Sequence, residues 1–381
     1  MRWWPAVLVA TVSIGYLVWV RLQDHLPFQT RNIESAKIIA VTFVLLLIWW
    51  AFFSRVPGKW RVLTTFGLVG VLGAGAAIFR LRGLSGDLAP IFEFRWSKSK
   101  RAEPIQAPAV PLDSVRVAAT STNDFPQFLG PNRDGVLPGP RLDSNWTAKP
   151  PTILWRQKVG PGWSGFVVVG NLCLTQEQRG ESECVTAYEL SSGKPVWTHS
   201  DPARYNTIVA GDGPRGTPTV VSNRVYTFGA TGLLNCLDLA SGKPIWSLDF
   251  LADGGKVPDW GVASSPLYVD EMVVIHGTGK AKSLYAFRAD DGKPVWEAGS
   301  NRASYASPIL ATLAGKRQIL AFNQRFVSGH DVETGATLWE KPWGNGNVAC
   351  ATPVVIGTNQ VVFSSGYGAG AELLEIGRAH V

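Results

Sequence analysis

Three stretches of the chain carry no charged residue and are largely apolar, and each has the length of a bilayer-spanning helix. They cover residues 3–20, 38–54 and 62–79. At a rise of 1.5 Å per residue each reaches about 26 Å, enough for a bilayer core. Tryptophans lie near their ends, as at membrane interfaces. The pattern predicts a membrane anchor with three transmembrane helices over residues 1–97, whereas a cleaved signal peptide would explain only the first stretch.

The basic residues beside these stretches give opposing indications of topology. The loop between the second and third stretches carries Arg55, Lys59 and Arg61 without an acid, which favours a cytoplasmic loop and an exported C-terminal part. Arg80 and Arg82 follow the third stretch and favour the reverse. Residues 98–124 are rich in Ala, Pro, Ser and charge, which predicts a disordered linker.

From residue 125 the apolar positions alternate over short stretches, and one unit recurs four times. Each copy predicts a strand, a tight turn ending in glycine, and a strand that carries tryptophan. The copies are TAYELSSGKPVW (186–197), NCLDLASGKPIW (235–246), YAFRADDGKPVW (285–296) and SGHDVETGATLW (328–339). Trp155 lies in phase ahead of the first. The tryptophans recur at intervals of about 46 residues, the length of one propeller blade.

A Ser/Thr-Pro pair opens a further apolar strand in the same phase, where proline is tolerated because no ladder donor is needed. The pairs begin at Thr217, Ser265, Ser307 and Thr352. Each unit therefore predicts four strands, and such sheets become stable when they stack around an axis. The predicted fold is an all-β propeller over residues 125–374, preceded by the three helices. Four blades and part of another are present, and a ring of seven or eight would need more.

These segments resemble the pyrroloquinoline-quinone-like (PQQ-like) β-propeller repeat. FPQFLGPNRDGV (125–136), GDGPRGTPTV (211–220) and SSGYGAGAELL (364–374) further resemble a bacterial subgroup of such proteins. The resemblance implies a propeller on the periplasmic, extracytoplasmic side of the inner (plasma) membrane. The family includes quinoprotein dehydrogenases and an outer-membrane assembly lipoprotein. This chain lacks both the adjacent cysteine pair of the dehydrogenases and the lipobox cysteine of the lipoprotein.

The distribution of charge indicates which macromolecules this chain binds, and the cysteines indicate whether it holds a metal or haem. Residues 1–101 hold 13 basic and 4 acidic residues, whereas residues 102–381 hold 23 and 25, so the net charge of +7 belongs to the anchor. We therefore expect the lipid bilayer and proteins on the propeller face as partners, and no nucleic acid. The four cysteines form no metal or haem motif and are expected to be core residues. Cys173 and Cys184 are also placed to face each other across a hairpin.

Ligands of propellers bind over the central channel, near the ends of the innermost strands. The residues before the proline markers are therefore candidates for cofactor or ligand binding, namely Arg215, Trp260 and Tyr305. Arginine suits an anion, and the aromatic rings suit a planar group. A structural contact between blades is the alternative. No catalytic residue or metal ligand is assigned, because His330 and Asp331 are adjacent in a strand and should point to opposite faces.

The leading hypothesis is a membrane-anchored extracytoplasmic propeller that acts as a binding or assembly module without catalysis. The alternative is a PQQ-dependent membrane dehydrogenase whose catalytic residues lie partly beyond the end of this sequence. Its cofactors would be PQQ and calcium, although no motif supports them. EIGRAHV (375–381) resembles a translated sequencing adapter, so we predict a truncated gene with a non-native tail in which His380 is not a ligand.

Overall fold

The computed structural model describes residues 3–24, 26, 28–85, 88–97, 122–137, 139, 142–299, 303–343, 346, 348–366 and 368–377. The predicted linker lies almost wholly outside these residues, as does the end of the predicted tail. Tertiary contacts divide the chain into two compact units. One comprises residues 1–100 with 207–211, and the other comprises residues 101–206 with 212–381.

Three helices of the first unit are long and apolar enough to cross a membrane, which confirms the three predicted apolar helices. They are α1 (Trp4–Arg21), α2 (Phe28–Ile48), which continues as a π-helical turn (Trp49–Phe53), and α3 (Gly58–Ile78). Helix α2 begins before the charge-free stretch at residue 38. Its polar first turns contact the end of α1, where Arg31 Nη1 donates to Arg21 O at 3.3 Å. Thr42 Oγ1 lies 2.6 Å from Ser13 Oγ deeper in the same helix pair.

A β-hairpin follows α3 without a break, and the hydrophobic pattern did not predict it. Strands β1 (Phe79–Leu84) and β2 (Pro90–Phe94) pair antiparallel. The register is interrupted by a bulge at Arg82, between Leu81 and Gly83. The alternation of FRLRGL covers only a few residues next to a long apolar helix, which is why the pattern alone favoured one continuous anchor.

The second unit consists of successive antiparallel sheets in which strand order follows chain order. Four sheets have four strands and a fifth has three, which confirms the predicted four blades and part of another. The first blade is β3 (Val167–Val169), β4 (Leu172–Arg179), β5 (Ser182–Glu189) and β6 (Pro195–Asp201). A short ladder follows, of β7 (Asn206–Thr207) and β8 (Gly211–Asp212).

The later sheets repeat this plan. The second blade is β9 (Thr219–Val221), β10 (Arg224–Phe228), β11 (Leu233–Asp238) and β12 (Pro244–Asp249). The third is β13 (Leu267–Val269), β14 (Met272–His276), β15 (Leu284–Arg288) and β16 (Pro294–Ala298). The fourth is β17 (Ile309–Leu313), β18 (Lys316–Phe322), β19 (Phe326–Asp331) and β20 (Thr337–Pro342). The last sheet is β21 (Val354–Ile356), β22 (Gln360–Ser365) and β23 (Gly370–Glu375).

The turn between the third and fourth strands depends on a residue with positive φ. Its glycines have φ between +68° and +72°, a region that costs other residues energy. In two of the blades, an aspartate four residues before the glycine accepts a backbone N–H of the turn. Asp238 accepts the Ser241 N–H at 2.9 Å, and Asp331 accepts the Thr334 N–H at 3.1 Å. The turn has the same length in the four blades, and this length sets the register of the outer strand.

The indoles of four of the five phased tryptophans lie against the turn glycine of the next repeat unit. A Cβ atom on any of these glycines would lie 2.3–2.8 Å from the indole ring, closer than van der Waals contact allows. The pairs are Trp155 with Gly193, Trp197 with Gly242, Trp246 with Gly292 and Trp296 with Gly335. Indoles therefore join neighbouring blades as predicted, and Trp155 is in phase with the others.

Three of these indoles also donate their N–H to a carbonyl three residues before the glycine. The donor and acceptor pairs are Trp155–Leu190 (2.9 Å), Trp197–Leu239 (2.9 Å) and Trp246–Ala289 (3.1 Å). The bond satisfies a carbonyl at the turn and orients the ring. Trp339 differs, since its Nε1 donates to Gln318 Oε1 of its own blade at 2.6 Å.

The first strands of the four blades contact one another in order, so they line a common centre. The Ser/Thr-Pro markers link them. Thr217 Oγ1 accepts the Gly165 N–H at 3.0 Å, Ser265 Oγ accepts the Thr217 N–H at 2.9 Å, and Ser307 Oγ accepts the Ser265 N–H at 2.9 Å. Each hydroxyl therefore satisfies a backbone donor of the preceding blade, which explains the Ser or Thr ahead of the proline.

The apolar core is divided into clusters between successive sheets. Between the first and second blades, Leu174 and Val185 face Val225 and Leu237, all with at most 2% exposure. Similar clusters join the second blade to the third, the third to the fourth, and the fourth to the last sheet. Inner blades are thus buried on both faces, which is the source of stability in stacked sheets.

The interface of the first two blades has a polar end centred on Glu183, which is 5% exposed. Its Oε2 accepts the Thr231 hydroxyl at 3.1 Å, but among the described residues its Oε1 has no hydrogen-bond partner. Asp201, directly opposite on β6, binds Asn235 Nδ2 through Oδ2 at 2.7 Å. Burial, with a smaller contribution from the Asp201 charge, raises the pKa of Glu183 to about 7.

The first two residues of the predicted tail have the backbone contacts of a regular blade. The Ile376 N–H donates to Asn359 O at 2.7 Å, as the Leu190 N–H donates to Asn171 O at 2.8 Å in the first blade. Glu375 and Ile376 therefore occupy regular repeat positions. Residues 378–381, including His380, lie outside the described part of the chain, so the non-native origin of the tail stays a prediction.

Replacing Gly292 with alanine should destabilise the propeller because the new Cβ would overlap the Trp246 ring. Gly315→Ala is the matched control, since Gly315 also has positive φ (+83°) but no atom within 4 Å of the Cβ position. Chemical denaturation should show that Gly292→Ala loses about 2 kcal/mol more free energy of unfolding than the control. Equal losses would show that backbone strain, and not the indole contact, makes glycine necessary.

The buried Glu183 should make the propeller less stable at alkaline pH. Its folded pKa of about 7 lies above the usual 4.5, so the protonated form is favoured in the folded state. The contribution of Glu183 to the free energy of unfolding is therefore fully present below pH 4.5. It is lost as pH rises through 7, and the total loss is about 3 kcal/mol. Melting temperatures measured from pH 5 to 8 should fall in the wild type and change less in Glu183→Gln. The exposed Glu297→Gln should keep the wild-type slope, and an unchanged slope in Glu183→Gln would contradict the assignment.

Candidate functional site

The residues two positions before the marker hydroxyls lie at equivalent places in successive blades. Because Gly165, Thr217, Ser265 and Ser307 are linked in order, the connections that lead into the first strands share one edge of the propeller. The side chains at this position are Trp163, Arg215, Ala263 and Tyr305. Arg215 and Tyr305 are among these residues, at the entrance to the innermost strands, whereas Trp260 lies three residues before Ala263.

The three predicted residues contact one another. The half-buried Arg215 donates its Nε hydrogen to the Trp260 carbonyl. The Trp260 and Tyr305 rings meet edge to face, with centroids 5.8 Å apart and planes at 77°. The structure thus joins residues from three blade connections into one cluster.

Two aromatic residues that sequence reasoning missed complete the cluster. The guanidinium carbon of Arg215 lies 5.8 Å from the centroid of Trp163 and 5.4 Å from that of Tyr205, within the range of cation–π attraction. Trp163 was detectable, because it precedes Gly165 as Arg215 precedes Thr217, but the first blade has no proline there. Tyr205 lies in no repeat motif. We call these five residues, Trp163, Tyr205, Arg215, Trp260 and Tyr305, the aromatic face.

The aromatic face combines one cation with large apolar rings that remain open to solvent. Trp163 is 69% exposed and Trp260 is 38% exposed. Burial lowers the pKa of Arg215 below its usual value, and burial raises the pKa of Tyr305 to about 12. Arg215 therefore stays positive and the Tyr305 hydroxyl stays neutral at physiological pH. The five side chains are aromatic or cationic, and such side chains suit a surface that binds a ligand.

Arg133, within the FPQFLGPNRDGV segment, is inserted between the first strands. It is 5% exposed and has positive φ (+55°), unusual for a residue with a side chain. Its guanidinium donates to the carbonyls of Pro266 and Pro308, the latter at 2.7 Å, while Nε donates to Gln127 Oε1 at 2.9 Å. Thr219 Oγ1 lies 3.4 Å from Nη2. One side chain thus joins three blades.

The electrostatics of Arg133 are those of a structural cation. In the part of the chain that the structure describes, its hydrogen-bond partners are backbone carbonyls, an amide and a hydroxyl, and none is a carboxylate. Burial lowers its pKa to about 9, so it remains mostly charged at neutral pH. Sequence reasoning treated the segment only as a mark of resemblance, because a lone arginine in a loop has no spacing that predicts insertion into a core.

A quinone with calcium, which the PQQ-like fold implies, does not fit the residues present. Arg133 fills the space between the first strands, and each of its nitrogen atoms donates to a protein acceptor. Within the described residues, no group of three or more His, Cys, Asp or Glu side chains is placed to hold a metal ion.

The adjacent residues His330 and Asp331 both have structural roles and do not form a pair. His330 is buried, with Nδ1 3.0 Å from Gly335 O and Nε2 2.9 Å from Ser328 Oγ. Asp331 instead pairs with Lys316 Nζ at 2.8 Å, so the two adjacent residues do not act together.

All four cysteines are free. Cys173 lies opposite Tyr188, and Cys184 lies opposite Glu177, so the two thiols do not face each other across the β4–β5 hairpin. Three of the cysteines are buried as predicted, but Cys350 is exposed. It lies in the connection before the three-stranded sheet, at the position equivalent to Arg215.

Four-stranded antiparallel sheets joined in order around a common centre, with tryptophan docking between them, define a PQQ-like β-propeller protein. The family model described as "Outer membrane protein assembly factor BamB" matches residues 181–380, more than half of the chain. The chain belongs to this family.

Similar proteins include both assembly factors and dehydrogenases. The outer membrane protein assembly factor BamB of Burkholderia pseudomallei (strain K96243) is 24% identical over 186 residues, which cover 48% of this chain and 45% of that protein. BamB from Moraxella catarrhalis is 18% identical, with a TM-score of 0.37 over 57% of this chain and 72% of that one. A europium-containing methanol dehydrogenase is 17% identical, with a TM-score of 0.40 over 52% and 46%. The match to the B. pseudomallei protein spans less than half of its length.

Replacing Arg133 with methionine should strongly destabilise the propeller. The change leaves the Pro308 carbonyl without its Arg133 donor, and the Pro266 carbonyl keeps only the Thr219 hydroxyl. An unsatisfied buried acceptor costs about 1–3 kcal/mol. We expect a loss of about 2–4 kcal/mol in the free energy of unfolding.

The control for this prediction is Arg317→Met. Arg317 forms an ion pair with Asp270 at 3.0 Å, and its side chain is 52% exposed. Loss of such a surface pair should cost less than about 1 kcal/mol. Denaturation of the two variants side by side tests the assignment. Equal stability of Arg133→Met and wild type would show that the carbonyl contacts contribute little.

Proposed function

We propose that this chain is a membrane-anchored, extracytoplasmic binding or assembly module whose aromatic face receives an extended polypeptide segment. The observation that carries the proposal is the exposure of Trp163 and Trp260 beside the Arg215 guanidinium. Tryptophan, tyrosine and arginine dominate the binding energy of protein interfaces. Two solvent-open indoles beside a guanidinium are suited to a protein ligand.

The family supports a polypeptide ligand. Both the matched family and the B. pseudomallei relative are described as outer membrane protein assembly factors. A role in assembly outside the cytoplasm agrees with a propeller on the periplasmic side. The three apolar helices supply the anchor, which we assign to the inner (plasma) membrane.

The partner's chemistry follows from the aromatic face. Aromatic side chains of an extended segment can stack on the open indole faces, and a carboxylate can approach the Arg215 cation. The proposal therefore includes a preference for segments with aromatic and acidic residues. It includes no catalysis and no nucleic acid, and it gains over the dehydrogenase alternative because Arg133 occupies the space between the first strands.

Binding to reduced, carboxymethylated α-lactalbumin, an unfolded acidic polypeptide, tests the proposal. The full chain is reconstituted in lipid nanodiscs, and binding is followed by biolayer interferometry. We expect the double variant Trp163→Ala, Trp260→Ala to bind at least about tenfold more weakly than wild type, because each indole is an exposed anchor.

The matched control is Trp146→Ala, which removes an indole that is 57% exposed outside the aromatic face. Its affinity should stay within about twofold of wild type. Absence of binding by the wild type, or equal losses in both variants, would contradict the proposal. Dye reduction with alcohols or glucose after addition of PQQ and calcium would replace it with the dehydrogenase alternative.

A further inference from the structure

The hairpin that follows α3 has one apolar and one basic face. In the register of β1 and β2, Phe79 is opposite Phe94 and Leu81 is opposite Phe92, so these side chains share a face. The rings of Phe79 and Phe94 lie 4.7 Å apart, and Phe94 stacks on Trp96 at 6.0 Å. These five side chains form what we call the hairpin apolar face.

The hairpin apolar face is open in the structure. Phe92 is 62% exposed, Phe94 is 50% exposed and Trp96 is 68% exposed. A two-stranded hairpin is marginally stable in water on its own, and a row of exposed aromatic rings adds to the cost of hydration. Such a face needs an apolar environment to cover it.

The position of the hairpin identifies that environment. Strand β1 begins at Phe79, the residue after the last residue of α3. The Arg95 N–H donates to Ile78 O at 2.8 Å, and Arg95 Nε donates to Ala76 O at 2.7 Å. The base of the hairpin is thus bonded to the end of the helix. A helix of 21 residues is about 31 Å long, so a spanning α3 ends at the level of the lipid headgroups.

The opposite face carries the complementary charge for anionic headgroups. Arg80 and Arg82 lie there with Glu93, which pairs with Arg80 at 2.6 Å and lies 3.9 Å from Arg82. With Arg95, residues 79–95 hold three arginines and two acidic residues, Asp87 and Glu93, which leaves a net charge of +1. The Arg82 side chain is 66% exposed. Aromatic rings at the interface and arginines near anionic lipid are both favourable.

We propose that the β1–β2 hairpin lies in the membrane interface, with its apolar face among the lipids and its arginines on anionic headgroups. It forms a second, peripheral contact with the bilayer beside the three helices. The inference rests on the membrane-anchoring part of the proposed function. The partner is the lipid surface and not another protein.

Site-directed spin labelling of the full chain in nanodiscs tests the inference. Phe92→Cys in a Cys350→Ser background carries the label on the hairpin, and native Cys350 carries it on the exposed propeller surface. In nanodiscs of phosphatidylcholine and phosphatidylglycerol (7:3), the Phe92 label should be relaxed by oxygen and protected from a water-soluble nickel chelate. The Cys350 label should show the reverse. Equal nickel accessibility of both labels would overturn the proposal, as would protection of the Phe92 label from both reagents, which indicates a protein cover.

A label at Val69→Cys, in the middle of α3, separates failure of this inference from failure of the anchor. Oxygen access there with water access at Phe92 would reject the interfacial hairpin alone, whereas water access at both would reject the spanning helix. Arg82→Gln tests the charge, and it should retain about two- to fivefold less phosphatidylglycerol in native mass spectrometry. The exposed Arg317→Gln should retain as much as wild type. Equal retention by all three proteins would overturn the headgroup assignment.

Discussion

The contact between the indole of one blade and the glycine turn of the next is the interaction on which the rest of the propeller depends. It works because the turn residue has positive φ and no Cβ, so the ring can lie directly on the backbone. Buried indoles remove on the order of 150–250 Å² each from water. Three of them also satisfy a turn carbonyl through Nε1. Since tryptophan and glycine belong to different blades, neither sheet gains this stabilisation alone.

A second set of contacts joins the blades at their inner edge. The marker hydroxyls bind the backbone of the preceding blade, and Arg133 reaches the carbonyls of two proline markers. Neighbouring sheets are therefore held at the outer strand and at the first strand, with apolar clusters between them. Function depends on the site and not on the fold, so the propeller fold by itself assigns no cofactor to this chain.

The two surfaces that stay open have related chemistry. The aromatic face of the propeller and the hairpin after α3 both combine exposed aromatic rings with arginine. The two surfaces differ in their positions in the fold. The aromatic face lies at the ends of blade connections and suits a polypeptide, whereas the hairpin continues an apolar helix that is long enough to cross a membrane and suits lipid.

The sequence by itself determined whatever recurs at fixed spacing. Charge-free stretches predicted the three helices, and the phased glycine, tryptophan and Ser/Thr-Pro markers predicted the blades and their strand order, because these features are local and repeated. The same phase placed Arg215 and Tyr305 at one edge of the propeller. Trp163 was missed where the first blade lacks proline, and the hairpin was missed where a short alternation follows a long apolar helix. Only the tertiary structure decided that Arg133 enters the core, that Tyr205 joins Arg215, and that Cys173 and Cys184 do not face each other. Those outcomes depend on the register of strand pairing or on contacts between residues far apart in the chain. A single residue outside a repeat has no periodic pattern from which its contacts could be predicted.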